Sequence, residues 1–163
     1  MYNEDMNKSV YIESSVISYL TARPSRDVVT SARQAITLEW WDEYRDFYQT
    51  FVSQLVIEEI GSGDELAAKR RMNIVKDILL LETTTNALKL AKKLLSEHAV
   101  PQNSVEDALH ISIASVQKMD FLLTWNFKHI NNANTRRKII DVINDNGFRC
   151  PILCSPEELI NER

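Results

Sequence analysis

The strongest constraint on the fold of this chain is a series of short apolar runs that are each followed closely by polar side chains. Ser9–Ile12 is followed at once by Glu13, and Phe121–Thr124 leads to Asn126. Continuous apolar runs of this length are typical of parallel strands whose two faces are both covered. Stretches with helical spacing separate the runs, so the sequence predicts an α/β fold with a mainly parallel central sheet of four to five strands flanked by helices.

The predicted strands and helices alternate along the whole chain. The predicted strands are Ser9–Ile12, Phe47–Ser53, Ile78–Leu81, Phe121–Thr124 and Ile152–Cys154. Predicted helices occupy about residues 28–46, 54–60, 64–76, 104–117 and 135–144, and a further one starts at Thr85. We find neither an internal repeat nor a domain boundary, so residues 1–163 are expected to form one domain.

The charge of the chain limits its possible partners. Its formal net charge is −4 and its isoelectric point is near 5.4. Non-specific affinity for nucleic acid depends on many Lys or Arg contacts to phosphate, so any nucleic-acid partner must meet a local positive zone. The two cysteines, Cys150 and Cys154, are interpreted as buried thiols. A zinc site would need two more ligands, and the histidines lack the paired spacing of such sites.

The chain carries no recognisable targeting or membrane segment. Its first eight residues are polar and lack the basic and apolar regions of a signal peptide. No run reaches the roughly 18 apolar residues that a membrane helix needs. The sequence therefore predicts a cytoplasmic protein without a membrane partner.

Four polar positions are candidates for a common site. Glu13 and Asn126 follow predicted strands and should lie at the carboxyl edge of the sheet, where open α/β folds bind their ligands. Glu58 and Glu59 come soon after a third strand, and adjacent positions lie on different faces of a helix, so at most one points into the site. Asp107 lies on the helix at 104–117. If these side chains converge, their oxygens suit a hard divalent cation.

Each candidate also has a purely structural interpretation. Glu13 can simply favour the start of a helix, and Asn126 can cap a following turn. Asp107 can complete a capping box with Ser104, unless Asn103 is the cap and leaves Asp107 free. His110 lies one turn from Asp107 and could be a second ligand, but a histidine that forms hydrogen bonds within a packed helix is favoured.

Four segments in order give the chain a resemblance to a known family. They are the opening strand and hydroxyl-rich turn at Val10–Ser18, a Glu-Leu-x-x-Gly pattern at Glu59–Gly63, Asp-Ala-Leu-x-x-Ala-x-Ala at Asp107–Ala114, and Leu-x-Thr-Arg-Asn or Asp at Leu122–Asn126. The chain thus resembles PIN-domain proteins, particularly the VapC-like ribonuclease toxins of type II toxin–antitoxin modules. The motif selects Glu59 over Glu58. Glu13 stands where most members carry Asp.

The resemblance implies a divalent-metal-dependent endoribonuclease. Glu13, Glu59 and Asp107 would be both catalytic residues and ligands of Mg²⁺ or Mn²⁺. Asn126 would be a fourth catalytic residue that orients the metal-bound water or its ligands. Such an ion activates water and neutralises charge on a phosphodiester.

The resemblance also implies an RNA substrate, a cognate antitoxin and a homodimer. Ser15 and Thr124 would hydrogen-bond either a ligand carboxylate or the substrate phosphate. Arg23 and Lys128 lie in loops that leave the predicted sheet edge, so they are candidates for the local positive zone. Further candidates near that edge are Arg26, Arg136, Arg137 and Lys138.

Two other functions are compatible with the same residues. The main alternative is a catalytically silent PIN-like module that binds protein or RNA. It is plausible because Glu13 replaces the usual Asp, and Asn126 replaces the acid seen in many relatives. A metal-dependent DNA nuclease is the third. A nucleotide-cofactor enzyme is poorly supported, because the sequence has neither a Gly-x-Gly-x-x-Gly turn nor a Walker A loop.

Overall fold

The computed structural model describes residues 7–160, which contain a five-stranded, entirely parallel sheet. The strands are β1 (Ser9–Ile12), β2 (Gln49–Ser53), β3 (Leu79–Leu81), β4 (Phe121–Leu123) and β5 (Ile152–Cys154). Their order in the sheet is β3-β2-β1-β4-β5. The predicted fold class is confirmed. Two predictions concern residues that lie largely outside this range. They are the lack of signal-peptide features in the first eight residues and the ends of the domain at residues 1 and 163.

Helices connect the strands. They are α1 (Ser14–Thr21), α2 (Val28–Glu39), α3 (Gln54–Ile60), α4 (Glu65–Val75), α5 (Thr85–Ser96), α6 (Val105–Val116) and α7 (Arg136–Asp145). Short turns of other helical types cover Trp40–Tyr44, Arg45–Phe47 and Pro156–Leu159. No helix within residues 7–160 is long and apolar enough to cross a membrane.

Two adjoining predicted boundaries are wrong. The helix predicted over residues 28–46 ends as an α-helix at Glu39, and β2 begins at Gln49 rather than Phe47. A wider π-helical turn starts at Trp40, and both Trp40 and Trp41 are buried in the core. The helical spacing of the sequence continues through this turn, so the pattern alone does not reveal the change.

The centre of the sheet is the core of the molecule. Val10, Tyr11 and Ile12 of β1 are fully buried, as are Leu122 and Leu123 of β4. Their continuous burial explains why the runs are apolar at successive positions rather than alternate ones. In the parallel register Ile12 pairs with Leu123, so the residues after both strands lie side by side at the carboxyl edge.

Two short connections bring further polar residues to this edge. The Glu13 N–H donates to the Leu123 carbonyl at 3.0 Å, which extends the pairing by one residue before α1 begins. The Ser53 hydroxyl accepts from the Val56 N–H at 3.2 Å and caps α3 directly after β2. Because α3 is only two turns long, Glu59 near its end stays close to the sheet.

The two cysteines are free thiols. Cys154 is buried at the end of β5, where burial raises the pKa of its thiol to about 12. Cys150 is half-buried before the strand, and burial raises its pKa to about 12 as well. Neither thiol is activated for chemistry at neutral pH.

Candidate functional site

Glu13 lies at the carboxyl end of β1 and is only 6% exposed. As the N-cap of α1, it accepts the Ser15 N–H on Oε2 at 3.0 Å. Its other oxygen, Oε1, accepts the hydroxyls of Ser15 and Thr124, both at 2.5 Å. Glu13 is therefore a helix cap, as its structural interpretation proposes, but it is also held by a residue from the neighbouring strand end.

The hydroxyls of Ser15 and Thr124 fix the ends of β1 and β4 to each other. Ser15 Oγ accepts the Trp125 N–H at 2.9 Å, and Thr124 Oγ1 accepts the Asn126 N–H at 2.9 Å. Thr124 is fully buried. Both hydroxyls therefore donate to the carboxylate of Glu13.

Glu59 faces the same region from α3. Its Oε1 accepts the Ser14 hydroxyl at 2.7 Å and lies 2.5 Å from His110 Nε2. The Glu59 side chain is 33% exposed, whereas the neighbouring Glu58 is exposed to solvent. Of the two adjacent acids, Glu59 is therefore the one that faces His110 and Ser14, and it is also the one that the motif indicates.

His110 connects three parts of the site from α6. It is 1% exposed, and its Nδ1 lies 2.6 Å from the Tyr11 hydroxyl, which is in turn 2.7 Å from Ser53 Oγ. Its ring therefore bridges β1 and α3 through Tyr11 and Glu59. His110 is buried and hydrogen-bonded, as expected for a histidine in a packed helix. The sequence did not indicate that its partners would be Tyr11 and Glu59.

Three carboxylates act electrostatically on the buried imidazole of His110. Burial alone lowers the pKa of His110, but the hydrogen bond to Glu59 and the charges of Glu13, Glu59 and Asp107 outweigh it, so the pKa lies above its usual value. Burial raises the pKa of Glu59, but the hydrogen bond and charge of His110 and the Ser14 hydroxyl bring it below its usual value. The charges of all three acids therefore act on one buried imidazole, and Glu59 is the one that contacts it directly.

Asp107 is held by the loop after β4. Its Oδ1 accepts from Asn126 Nδ2 at 3.1 Å, and its Oδ2 lies 2.9 Å from His129 Nδ1. The Ser104 hydroxyl lies 3.1 Å from the same His129 nitrogen. Both Asp107 oxygens thus face the loop, and the capping-box interpretation with Ser104 does not describe the observed contacts.

Asn126 caps the turn after β4 and also contacts Asp107. Its Oδ1 accepts the N–H groups of Lys128 and His129 at 3.2 and 2.9 Å, which caps the turn after β4. Its amide nitrogen donates to Asp107 at the same time. This pair of contacts fixes the orientation of the amide, because only the nitrogen can donate.

The donor set has the chemistry of a hard-cation site. Glu13, Glu59 and Asp107 offer carboxylate oxygens, which Mg²⁺ and Mn²⁺ prefer. As the side chains stand, no group of three His, Cys, Asp or Glu residues within 7–160 is close enough to hold one ion. The carboxylates are occupied by the hydrogen bonds described above, so shared coordination requires some of those bonds to exchange for metal contacts.

The basic residues predicted near the site have different surroundings. Arg23 and Lys128 are exposed, and Lys128 lies two residues after Asn126. Arg136 donates to Asn131 Oδ1. Arg137 and Lys138 line an open surface groove that also contains acids, namely Glu97, Asp141 and Asp145. The positive charge of this groove is thus partly balanced by its own carboxylates.

The structure brings one further basic residue to this edge that the sequence analysis missed. The Arg33 guanidinium of α2 lies 5.4 Å from the ring centre of Trp125 and 5.1 Å from that of Phe127. These rings flank Asn126 in the sequence. Trp125 stands where the motif has Arg, and this difference was visible in the sequence. Nothing in the sequence indicated that Trp125 would contact Arg33 of α2.

Comparison with solved structures agrees with the parallel α/β fold described above. VapC20 of Mycobacterium tuberculosis, described as a sarcin-ricin loop cleaving toxin, is 14% identical, covers 73% of this chain and 91% of its own, and has a TM-score of 0.57. VapBC2 of Rickettsia felis, solved bound to a DNA fragment from its promoter, is 14% identical, covers 90% of this chain and 98% of its own, and has a TM-score of 0.52. No protein-family model matches the sequence, and no curated protein matches it significantly. The fold is the VapC-like PIN-domain fold that the motifs indicated.

Proposed function

We propose that this protein is a divalent-metal-dependent endoribonuclease and the toxin of a toxin–antitoxin pair. The observation that carries the proposal is that Glu13, Glu59 and Asp107 come to one region from three separate segments, where Glu59 lies 2.5 Å from the buried His110 and the charges of all three act on it. Three acids from distant segments are costly to bring together unless a cation or another partner offsets their repulsion. The likeness of the fold to a toxin described as cleaving the sarcin-ricin loop supports RNA as the substrate.

In this proposal each polar residue has a defined task. Glu13, Glu59 and Asp107 hold Mg²⁺ or Mn²⁺, which when bound lowers the pKa of a water molecule and neutralises charge on the phosphodiester. Ser15 and Thr124 hold the Glu13 carboxylate in place through their hydroxyls.

The loop after β4 and the basic residues complete the proposed site. Asn126 orients Asp107 by donating to its Oδ1. The exposed side chains of Arg23 and Lys128 contact the RNA backbone, which compensates locally for the net charge of −4.

The test is cleavage of a mixed RNA pool by the purified protein with Mg²⁺, with Mn²⁺ or with chelator. Asp107→Asn and Glu59→Gln are expected to reduce the rate at least a hundredfold, because each removes a charge from the proposed ligand set. Glu58→Gln is the matched control, since it makes the same change on the neighbouring exposed side chain and should leave the rate unchanged. Equal rates for Glu59→Gln and Glu58→Gln would contradict the proposed site.

The main alternative is a catalytically silent module that binds RNA or protein. The substitution of Glu13 for Asp and of Asn126 for an acid supports this alternative, because both change the ligand set expected from the resemblance. Retained RNA binding without cleavage in any divalent cation would favour it. Cleavage of single-stranded DNA offered in parallel, with RNA left intact, would favour a DNA nuclease.

We also propose an antitoxin partner and a homodimer. The antitoxin is supported by the likeness to VapBC2, and the homodimer by the resemblance of the motifs to VapC-like toxins. Sedimentation distinguishes a protomer of 18.8 kDa from a particle of twice that mass. A protomer mass over the whole accessible concentration range would remove the homodimer.

A further inference from the structure

Beside the carboxylates, three aromatic residues and one arginine form a cluster that the proposed chemistry does not use. The rings of Trp125 and Phe127 lie edge to face, with centres 5.9 Å apart and planes at 88°. Tyr19 of α1 lies 5.8 Å from Trp125. The Arg33 guanidinium is within 5.5 Å of the ring centres of both Trp125 and Phe127. We call Tyr19, Arg33, Trp125 and Phe127 the aromatic cluster.

Arg33 keeps most of its hydrogen-bonding capacity for a ligand. Its Nη1 lies 3.5 Å from the Tyr19 hydroxyl, at the limit of a hydrogen bond. No carboxylate in residues 7–160 lies within 4.0 Å of the guanidinium, although Asp27 is near enough to interact with it through charge. A guanidinium has five N–H donors, so a half-buried one held by ring faces rather than by an acid is ready to bind an anion.

The cluster has a fixed part and an open part. Trp125 is 5% exposed, and its indole N–H donates to Thr37 Oγ1 at 2.8 Å, so its ring is locked into the core. Phe127 is 37% exposed. The Arg33 guanidinium lies over this ring, and the aromatic surface that remains exposed is of the kind on which a base can stack.

The cluster is continuous with the candidate site through the backbone. Asn126 lies between Trp125 and Phe127, and its amide contacts Asp107. The Trp125 N–H donates to Ser15 Oγ, which also donates to Glu13. A ligand on Phe127 and Arg33 would therefore lie on the same short segment after β4 that also contacts Asp107 and Ser15.

We infer that the aromatic cluster is a subsite for one unpaired nucleotide of the RNA, next to the bond that is cut. Phe127 stacks on the base, and Arg33 binds the phosphate of that nucleotide. This inference rests on the proposed function for its position beside the cleaved bond, but the binding itself needs no metal. Stacking on an aromatic ring combined with a cation for the phosphate is the general chemistry of single-strand recognition.

The test measures binding without cleavage. A fluorescently labelled single-stranded RNA of mixed sequence is titrated with the protein in chelator, and anisotropy gives the dissociation constant. We expect Arg33→Gln and Phe127→Leu each to weaken binding about tenfold, as expected for loss of a phosphate contact or a stacked base. Arg70→Gln, an equal change at an exposed position of α4, is the control and should stay within twofold of the unaltered protein.

Salt dependence separates binding roles from a loss of structure. Removing one phosphate contact on a single strand lowers the slope of log K against log salt by about 0.7. We expect this change for Arg33→Gln and an unchanged slope for Phe127→Leu, because Phe127 carries no charge. Circular dichroism and thermal unfolding verify that each variant remains folded.

The outcomes distinguish this inference from the proposed nuclease. Undetectable binding by the unaltered protein, or dissociation constants for folded Arg33→Gln and Phe127→Leu equal to that of Arg70→Gln, overturns the subsite while metal-dependent cleavage can still stand. Binding that depends on Arg33 and Phe127, without any cleavage in Mg²⁺ or Mn²⁺, supports the subsite and removes the nuclease.

Discussion

At the scale of single residues, the length of the Glu13 side chain determines how the site is assembled. Its carboxylate reaches past the end of β1 and accepts three hydrogen bonds, from the Ser15 N–H and from the hydroxyls of Ser15 and Thr124. Buried carboxylates need such donors, because an unsatisfied charge in the interior is costly. The surrounding hydroxyls thus fit Glu13, although most proteins that the motif resembles carry Asp.

We predict that Glu13→Asp will reduce metal-dependent RNA cleavage by about a hundredfold. The shorter side chain withdraws the carboxylate by roughly 1.5 Å, and displacements of about 1 Å in an active site can cost that much. Single-turnover cleavage rates measure the loss. Glu58→Asp makes the same change on an exposed side chain and should have no effect. An unchanged rate for Glu13→Asp would show that the hydroxyls do not set the position of the carboxylate.

The residues of the site differ in how far the sequence could reveal them. Glu13 and Asn126 were predictable because Glu13 directly follows β1 and Asn126 comes shortly after β4, and strand ends of a parallel sheet share one edge. The partners of His110 were not, since Glu59 and Tyr11 are 51 and 99 positions away in the chain. Helical periodicity indicates which face His110 shares with Asp107, but it does not specify what packs against that face.

At the scale of elements, a polar contact at the amino end of the sheet ties the two central strands together. The Ser9 N–H and hydroxyl at the start of β1 donate to Asp120 Oδ2 at 2.9 and 3.1 Å, and the Asp120 N–H donates back to Ser9 Oγ at 2.9 Å. Arg149 lies 3.3 Å from the other carboxylate oxygen. Burial raises the pKa of Asp120, but these contacts outweigh it and hold the pKa below its usual value.

We predict that Asp120→Ala will lower the free energy of unfolding by about 1 kcal/mol at pH 7, after allowance for the partial exposure of the group. Because the folded pKa is depressed, the ionised carboxylate stabilises the fold above its unfolded pKa near 4, and this contribution is lost as the pH falls through the folded pKa. Urea unfolding at pH 7 and near pH 3 measures both effects.

The control for this prediction is Asp46→Ala. Its carboxylate is 94% exposed and lies 3.9 Å from Arg45, so its removal should change the stability by less than about 0.5 kcal/mol at either pH. A difference between Asp120→Ala and the unaltered protein that stays constant from pH 7 to pH 3 would contradict the role assigned to the ionised carboxylate.

The elements themselves were predictable where local chemistry and periodicity agree. A helix was predicted from residue 64, and Asp64 caps α4 there, because its Oδ2 accepts the Ala67 N–H at 2.9 Å. The end of α2 was not predictable, because Trp40 and Trp41 continue the helical spacing while the backbone widens into a π turn that buries both rings. Core packing decides such a turn, and a single sequence does not display it.

At the scale of the whole molecule, the fold brings three acids to the carboxyl edge of the sheet, although the chain as a whole is already acidic. Glu13, Glu59 and Asp107 come from separate segments, and their charges act together on His110. The hydrogen bonds from hydroxyls, imidazoles and an amide stabilise these acids individually. A divalent cation bound there should therefore stabilise the folded protein as well as support cleavage.

We predict that Mg²⁺ or Mn²⁺ raises the melting temperature of the protein in the absence of RNA. A ligand present at 100 times its dissociation constant adds about 2.7 kcal/mol to the stability of a folded state that alone binds it. For a chain of 163 residues this corresponds to an increase of roughly 5 to 10 °C.

Calorimetry with added metal and then with chelator measures the change and its reversal. Asp107→Asn should lose most of the increase, while Glu58→Gln should keep it, because only Asp107 belongs to the proposed set of metal ligands. An equal increase in both variants would mean that the cation binds elsewhere, and no increase in the unaltered protein would remove the metal from the proposed mechanism.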